Sequence, residues 1–205
     1  MNRVHTCCRF LFLVALLAAA QPASAQTVTL GDASVGWRLL RAMDAGINGD
    51  SVSFPLGWYG DVSFNLGNEF AIVGDVSGAY KSIEVSETVI TTTVNSNADL
   101  KIHTFMGGLR YSVRKNPQFV PFAQVLFGVA NGSMDLEQSV IVPGRPVQSL
   151  SESESSNEFA FDLGGGVTLP ATERIDFRIG VSYLRIGADN GGNGFRASLG
   201  AVFPF

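Results

Sequence analysis

Apolar side chains recur at every second position in eight separate stretches of the chain. The stretch from Ile175 to Tyr183 shows this most clearly, because its apolar residues alternate with Asp176, Arg178 and small residues. A period of two puts alternate side chains on opposite faces of a β-strand, so each stretch predicts a strand with one apolar face. Each stretch has about ten residues, the length that a tilted strand needs to cross a bilayer. The predicted strands cover residues 35–41, 56–66, 70–80, 102–113, 119–130, 159–169, 175–183 and 194–205.

The connections between these predicted strands alternate between short and long. The short ones lie at 67–68, 114–118 and 170–173. The long ones cover 43–55, 81–99, 131–157 and 187–194. Transmembrane barrels show this asymmetry, with short turns on the periplasmic side and long loops on the outer side. The pattern therefore predicts an all-β fold, an eight-stranded antiparallel up-and-down transmembrane β-barrel with periplasmic N- and C-termini and extracellular long loops.

The last predicted strand carries the most specific signal in the chain. Counting back from Phe205, every second residue is apolar, and the strand ends on that phenylalanine. It resembles the closing strand of bacterial outer-membrane β-barrels, in which the terminal aromatic residue and the alternation serve as an assembly signal. Pro204 departs from that pattern and removes one backbone donor. The resemblance implies the barrel-assembly machinery as a partner during biogenesis, and the residues that would form the signal are Phe195, Leu199, Phe203 and Phe205.

Residues 33–205 as a whole resemble the small eight-stranded outer-membrane β-barrel family, whose best-known member is the transmembrane domain of outer membrane protein A. Segments 57–60 and 107–111 look like hairpin elements of such barrels. The resemblance implies outer-membrane lipid as the surroundings of the protein. It implies a bacterial outer-membrane location.

Aromatic residues on the apolar faces collect near the predicted strand ends. Two aromatic belts are expected where a lipid-facing band meets water on each side. The expected outer belt comprises Trp58, Tyr80, Phe105, Phe159, Tyr183 and Phe195. The expected periplasmic belt comprises Trp37, Phe70, Tyr111, Phe203 and Phe205. The alternative is a soluble sandwich or lipocalin-like barrel, in which the same residues would point inward and form a core.

If the apolar faces meet lipid, the alternate positions line the barrel interior. An eight-stranded barrel is only wide enough for side chains to fill, and charges in it must be paired because a bare buried ion costs several kcal/mol. We therefore expect an interior network of ion pairs that closes the barrel. A narrow ion path through the same network is the alternative. The expected members are Arg38, Asp61, Asp75, Arg110, Gln124, Asp162, Asp176, Arg178 and Arg196.

The first 25 residues have the features of a secretory signal peptide. Arg3 and Arg9 precede an apolar run at 10–20, and the small residues Ala23 and Ala25 predict cleavage after Ala25. The predicted organisation is a signal peptide at 1–25, an N-terminal segment at 26–32 and a barrel domain at 33–205. Acidic residues outnumber basic ones by 18 to 14, which argues against nucleic acid as a partner.

Catalytic and metal chemistry find little support in the predicted mature chain. Both cysteines precede residue 26, and His103 is then the single histidine, so a zinc site or cofactor is not expected. Lipid A deacylases carry serine two residues beyond histidine on one strand, whereas Phe105 stands there in this chain. The leading hypothesis is a non-enzymatic outer-membrane protein with a structural role or a surface-binding role through its loops, with an unknown ligand. A narrow channel, a lipid-modifying enzyme and a soluble small-molecule-binding barrel are the alternatives.

Overall fold

A computed structural model describes residues 29–43, 51–89, 92–116, 118–141, 148–187 and 192–205. The predicted signal peptide lies outside the described residues. The described chain is all-β, and no helix in it is long and apolar enough to span a membrane. Its strands are β1 Gly31–Met43, β2 Val52–Phe54, β3 Leu56–Asn65, β4 Phe70–Val89, β5 Thr92–Ser112, β6 Val120–Ile141, β7 Gln148–Pro170, β8 Asp176–Ile186 and β9 Asn193–Pro204.

The sheet closes on itself. Strand β1 pairs antiparallel with β3 on one side and with β9 on the other, so that Ala33 lies opposite both Val62 and Phe203. The three residues of β2 continue the line of β3, and Pro55 separates the two because it has no backbone N–H to donate. Taken with β3, β2 completes one wall of a closed eight-stranded antiparallel barrel. The predicted fold class is confirmed.

The strands differ in length by a factor of two. Strands β4 to β7 have 20, 21, 22 and 23 residues, whereas β1, β3, β8 and β9 have 13, 10, 11 and 12. The prediction of loops at 81–99 and 131–157 was therefore wrong for most of both segments. Pairing continues through them, for example between Ala98 and Leu136. We call the outer halves of β4 to β7, residues 81–89, 92–101, 132–141 and 148–156, the projecting sheet.

Gly31, Phe205 and the turns at 66–69 and 171–175 lie at one end of the barrel, the terminal end, and the projecting sheet leaves the other, the sheet end. Beyond the sheet end β3 and β8 have stopped, since the last β3–β4 pair is Leu56 with Tyr80 and the last β7–β8 pair is Ala160 with Ile186. Among the described residues, the projecting sheet therefore has two unpaired edges, one on β4 and one on β7.

At the sheet end of the barrel, the outward face of the long strands changes from apolar to polar, and the inward face changes from polar to apolar. In the barrel part of β5, Phe105 and Leu109 point outward and are more than half exposed, whereas Thr104 and Arg110 point inward and are buried. In the projecting part the alternation continues without a break, but Leu100 now follows the inward side and Lys101 the outward side. The outward surface thus changes from apolar to polar near His103.

Inward-facing glycines make room for large side chains in this narrow interior. A Cβ added to Gly200 would lie 2.4 Å from the hydroxyl oxygen of Tyr59, and one added to Gly166 would lie 2.9 Å from the ring of Phe122. Both distances are shorter than packed atoms tolerate. These glycines are what allows Tyr59 and Phe122 to turn inward, where they meet arginines.

Candidate functional site: the barrel interior and its mouth

A cluster of charges fills the interior near the terminal end. The Arg178 guanidinium lies 2.9 Å from an Asp32 oxygen and 3.2 Å from an Asp61 oxygen. Arg110 reaches the same two carboxylates, at 3.6 Å from Asp32 and 3.2 Å from Asp61. Two arginines thus bridge two aspartates. Removal of one member would leave an excess charge buried among the other three, which costs several kcal/mol.

Neutral side chains complete the partners of this cluster. The Nε atoms of Arg110 and Arg178 donate to the side-chain oxygens of Gln124 at 3.0 Å and Thr168 at 3.1 Å, each on a neighbouring strand. The guanidinium groups also stack over the ring of Phe122, at 5.2 and 5.5 Å from its centroid. An aromatic residue at an inward position of β6 looks out of place in the sequence, and these contacts explain it.

Two further ion pairs lie closer to the middle of the barrel. Arg38 forms a bidentate pair with Asp75, with both N–O distances at 2.8 Å, and stacks over Tyr59. Arg196 lies 3.4 Å from Asp162, which also accepts a hydrogen bond from Ser182 at 2.8 Å. With the cluster near the terminal end, four arginines face four aspartates. The interior is therefore formally neutral.

One member of this network differs from the prediction. Asp176 is half-buried at the start of β8 and forms no ion pair with any described residue. Asp32, assigned by sequence to a segment outside the barrel, takes part in two ion pairs instead. Strand β1 begins at Gly31 rather than at residue 33, and this puts Asp32 on the inward side with Ser34 and Arg38. Continuation of the two-residue alternation from Ser34 back to Asp32 would have identified Asp32 as an inward-facing residue.

An apolar layer lies above the charges at the sheet end. Leu40, Phe54 and Leu184 are at most 4% exposed and pack in one cluster with Leu100 and Ile102 at its margin. The layer leaves two adjoining cavities of about 270 and 240 Å³, which share Phe54, Leu100 and Ile102 as lining residues. The barrel interior therefore has two tiers, a charged one at the terminal end and an apolar one at the mouth.

Aromatic residues ring the outside of the barrel at both ends. At the sheet end the Trp58 indole donates to the Tyr80 hydroxyl at 3.0 Å, and that hydroxyl lies 2.9 Å from Nε2 of His103. At the terminal end the rings of Phe70 and Tyr111 pack with centroids 5.1 Å apart. The structure also places Phe105, Phe159, Tyr183 and Phe195 toward the sheet end and Phe203 and Phe205 at the terminal end.

Trp37 lies in the other belt from the one predicted for it. It is directly opposite Trp58 in the β1–β3 register, and its indole donates to the Pro55 carbonyl at 2.9 Å. The sequence predicts a strand that begins at residue 35, and Trp37 would then lie near its start. The strand starts four residues earlier than residue 35, so Trp37 lies halfway along it.

The last strand closes the barrel through its backbone. Phe205 donates its N–H to the Gly31 carbonyl at 3.0 Å and accepts from the Gly31 N–H at 3.1 Å. Its ring meets Phe64 edge-on at 6.0 Å, and Phe195 meets Tyr183 in the same way at 5.7 Å. The side chains of Leu199 and Phe203 point outward and are exposed. The four residues predicted as an assembly signal thus share the outward face of β9.

Sequence comparison matches residues 10–203 to the family described as the outer membrane protein beta-barrel domain. The chain belongs to this outer-membrane β-barrel family. The resemblance to small outer-membrane barrels is thereby confirmed, and the protein is located in the outer membrane. A comparison with curated proteins finds no matching sequence.

Solved structures of the same fold include two bacterial surface proteins. Ail, the attachment invasion locus protein of Yersinia pestis, has a TM-score of 0.54 at 19% identity, and the match covers 85% of this chain and 99% of Ail. Neisserial surface protein A has a TM-score of 0.56 at 13% identity, covering 85% and 97%. Ail has also been solved with the heparin analogue sucrose octasulfate, with a TM-score of 0.52, 21% identity and coverage of 85% and 99%. At these identities the likeness concerns the fold.

As an outer-membrane barrel, the protein meets lipid with the outward apolar residues of its barrel part. Phe105, Leu109, Ile179 and Val181 are each about half exposed or more, and no polar side chain stands between them on the same face of their strands. The polar outward face of the projecting sheet begins where this band ends. The membrane-spanning part of the outer-membrane barrel therefore stops near His103.

Hydrogen bonds across strands hold the outward face of the projecting sheet. Lys101 on β5 lies 2.8 Å from Asp135 on β6, and that carboxylate also accepts a hydrogen bond from Ser153 on β7 at 2.6 Å. These contacts hold the pKa of Asp135 below its usual range. The hydrogen bond to Asp135 and its negative charge raise the pKa of Lys101. A single carboxylate therefore links three strands.

The described residues hold no cluster that could bind a metal ion. No group of three histidine, cysteine or acidic side chains in the described ranges is placed to hold a metal ion. The ring of His103 packs edge-on against Tyr80 at 5.5 Å and its Nε2 is engaged with the Tyr80 hydroxyl. His103 is therefore part of the aromatic belt at the sheet end.

Proposed function

We propose that this protein is a non-enzymatic barrel of the outer membrane that holds the projecting sheet outside the cell and binds a partner with it. The observation that carries the proposal is the length of β4 to β7. About ten residues suffice for a tilted strand to cross the membrane, and these four strands have 20 to 23. The other half of each strand builds a surface that the membrane does not need.

The distribution of turns supports the outward orientation of the sheet. In outer-membrane barrels the short turns are periplasmic and the long connections are extracellular. The turns at 66–69 and 171–175 lie at the terminal end with Phe205, opposite the projecting sheet. Both termini are then periplasmic, where the barrel-assembly machinery would meet β9.

The chemistry of the sheet favours a partner with positive charge. Its described side chains include two lysines, Lys81 and Lys101, and six acidic residues, and Lys101 is already paired with Asp135. The acidic residues are Glu84, Asp99, Asp135, Glu137, Glu152 and Glu154, and Glu158 lies just below the sheet. A polyanion such as the one bound to Ail would be repelled by this surface.

Shortening of the sheet tests the proposal. Replacement of 82–99 and of 133–155 by two-residue turns leaves the barrel part intact, which resistance to SDS without boiling would verify. Cells that display the full protein should adhere to a surface coated with polylysine and release on addition of salt, and cells with the shortened protein should not. Equal adhesion by both would contradict the proposal.

The proposal also predicts a closed barrel. The charged tier places four arginines and four aspartates in a space that side chains of an eight-stranded barrel fill. Purified protein in a planar bilayer should give no steady conductance at any voltage. Ohmic single-channel steps that respond to replacement of Arg178 would instead favour the narrow channel. Unchanged lipid A mass spectra with and without expression are expected, since the protein is proposed to carry no enzyme activity.

A further inference from the structure

The mouth of the barrel is lined by apolar side chains where contact with water favours polar ones. The larger cavity is enclosed by Leu40 and Phe54 on one side and by Ile102, Leu184 and Ile186 on the others. Its walls come from β1, β2, β5 to β9, so most of the barrel circumference contributes. A site that is apolar, concave and open to the surface has the general form of a small-molecule site.

Among the described residues, negative charge enters the two cavities from one strand only, β7. Glu158 lines the larger cavity and Glu154 the smaller one, and both follow the inward side of β7. Neither carboxylate forms an ion pair with a described residue. Lys101 is the one basic residue in the described lining, and Asp135 already neutralises it at 2.8 Å. The lining therefore carries a net negative charge.

The combination selects for one kind of ligand. Apolar walls of low dielectric beside charges of one sign focus their field into a cleft and attract the opposite charge. An apolar body would displace water from Phe54 and Ile102, and a positive group would remain at the carboxylates of β7. An uncharged ligand would contact only the apolar walls. An anion would be repelled by the carboxylates of β7.

We propose that the mouth of the barrel is a binding site for small organic cations with an apolar body, such as aryl-alkyl amines. The apolar tier takes the hydrocarbon part. A ligand in the larger cavity places its ammonium group at Glu158, and a ligand in the smaller cavity places it at Glu154. The site adds to the proposed role of the projecting sheet and does not depend on it, because the cavity exists whichever partner the sheet binds.

Three probes of one shape and three charges test the proposal. Protein in phosphatidylcholine nanodiscs is titrated with 4-phenylbutylamine, 4-phenylbutanol and 4-phenylbutyrate, and empty nanodiscs correct for partition into lipid. Isothermal calorimetry gives the affinities, and the methyl NMR signals of Ile102 and Leu184 report the place of binding. The amine should bind saturably and at least about fivefold more tightly than the alcohol, with the carboxylate weakest.

Variants separate the charge from the cavity. The double substitution Glu154→Gln and Glu158→Gln should bring the amine to the affinity of the alcohol, whereas Glu137→Gln, on the outward face of β6, should leave it unchanged. Ala42→Phe should fill the larger cavity and abolish binding of all three probes. Each variant is first checked for a heat-sensitive shift in SDS.

Three results would overturn the proposal. They are equal affinity of the native protein for amine and alcohol, full amine binding by the Ala42→Phe variant, and the absence of any saturable shift at Ile102. The Ala42→Phe variant keeps every acidic residue of the projecting sheet, so loss of its amine binding with adhesion retained bears on the mouth alone. Loss of adhesion by the sheet-shortened protein bears on the sheet when the Ala42→Phe variant still adheres. The two accounts can therefore fail separately.

Discussion

Arg178 illustrates how one residue holds together strands that are far apart in the sequence. From β8 it reaches Asp32 on β1 and Asp61 on β3, and its Nε atom bonds Thr168 on β7. Because β1 is where the barrel closes, these contacts tie the closing seam to the strands on either side of it. Phe122 beneath the guanidinium adds an aromatic contact from β6.

Replacement of this arginine should be costly. Arg178→Met leaves two carboxylates with one arginine between them, and loss of a buried partner typically costs about 3–5 kcal/mol of unfolding free energy. Urea unfolding in micelles, followed by the fluorescence of Trp37 and Trp58, measures the loss. Arg174→Met is the matched control, since Arg174 is exposed on a turn and should change stability by less than about 0.5 kcal/mol. Equal stability of the two variants would contradict the bridging role.

Replacement of Asp32 and replacement of Asp176 should change the free energy of unfolding by different amounts in the same assay. Asp32→Asn keeps the size of the side chain but removes the charge that faces Arg178 at 2.9 Å and Arg110 at 3.6 Å. Hydrogen bonds to charged groups contribute about 1.5–3 kcal/mol, so a loss of that order is expected. Asp176→Asn should cost less than about 1 kcal/mol, because no described residue pairs with it. A larger effect at position 176 would indicate that Asp176 belongs to the interior network of ion pairs, as the sequence predicts.

At the scale of the element, the long strands show what a period of two does and does not reveal. The alternation that marks a lipid-facing strand stops at residue 80 in β4 and begins at 102 in β5, because beyond those points the outward positions are polar. It does not vanish there. Ile83, Leu100 and Leu136 alternate with polar residues on the inward side instead. In the projecting sheet the apolar residues lie on the inward side and not on the outward side. This change of side, together with the serine-rich run at 149–158, led to a prediction of loops where the chain forms strands.

The outward face of the projecting sheet should respond to acid at one carboxyl. The pKa of Asp135 is lowered by the Lys101 ammonium and by hydrogen bonds from Lys101 and Ser153. A carboxyl with a lowered pKa stabilises the folded sheet above its unfolded pKa of about 4, and this stabilisation is lost as the pH falls through the lower folded value. Carboxyl ¹³C NMR should give Asp135 a midpoint below the ordinary value.

Lys101→Met provides the comparison for that titration. Without the ammonium, the midpoint of Asp135 should rise toward the ordinary value. The lysine behaves in the opposite sense, since its raised pKa means that its contribution is complete at neutral pH and lost only as alkaline pH exceeds the folded value. An Asp135 midpoint that is the same in both proteins would contradict the cross-strand link.

At the scale of the whole molecule, strand order, closure and the location of the apolar band could be predicted from the chain. Each follows from local alternation and from turn length, which are properties of neighbouring residues. Ion-pair partners could not be predicted, because they depend on how far one strand is shifted along the next around the barrel. Arg38 pairs with Asp75 on β4, past β3, and Arg178 pairs with Asp61, 117 residues away. The differences at Asp32 and Trp37 have another cause, because β1 begins at Gly31 and not at residue 35.

The central claim is that one continuous set of strands is lipid-facing in the barrel part and water-facing in the projecting sheet. A nitroxide scan along β5 tests it directly, and a chain that begins at residue 26 contains no cysteine to interfere. Labels at the outward positions 105, 107 and 109 should be accessible to oxygen and shielded from a polar nickel reagent. Labels at 97, 99 and 101 should show the reverse, and inward labels at 104 and 106 should be shielded from both. Oxygen accessibility that continued through 97–101, or nickel accessibility at 105–109, would contradict the account.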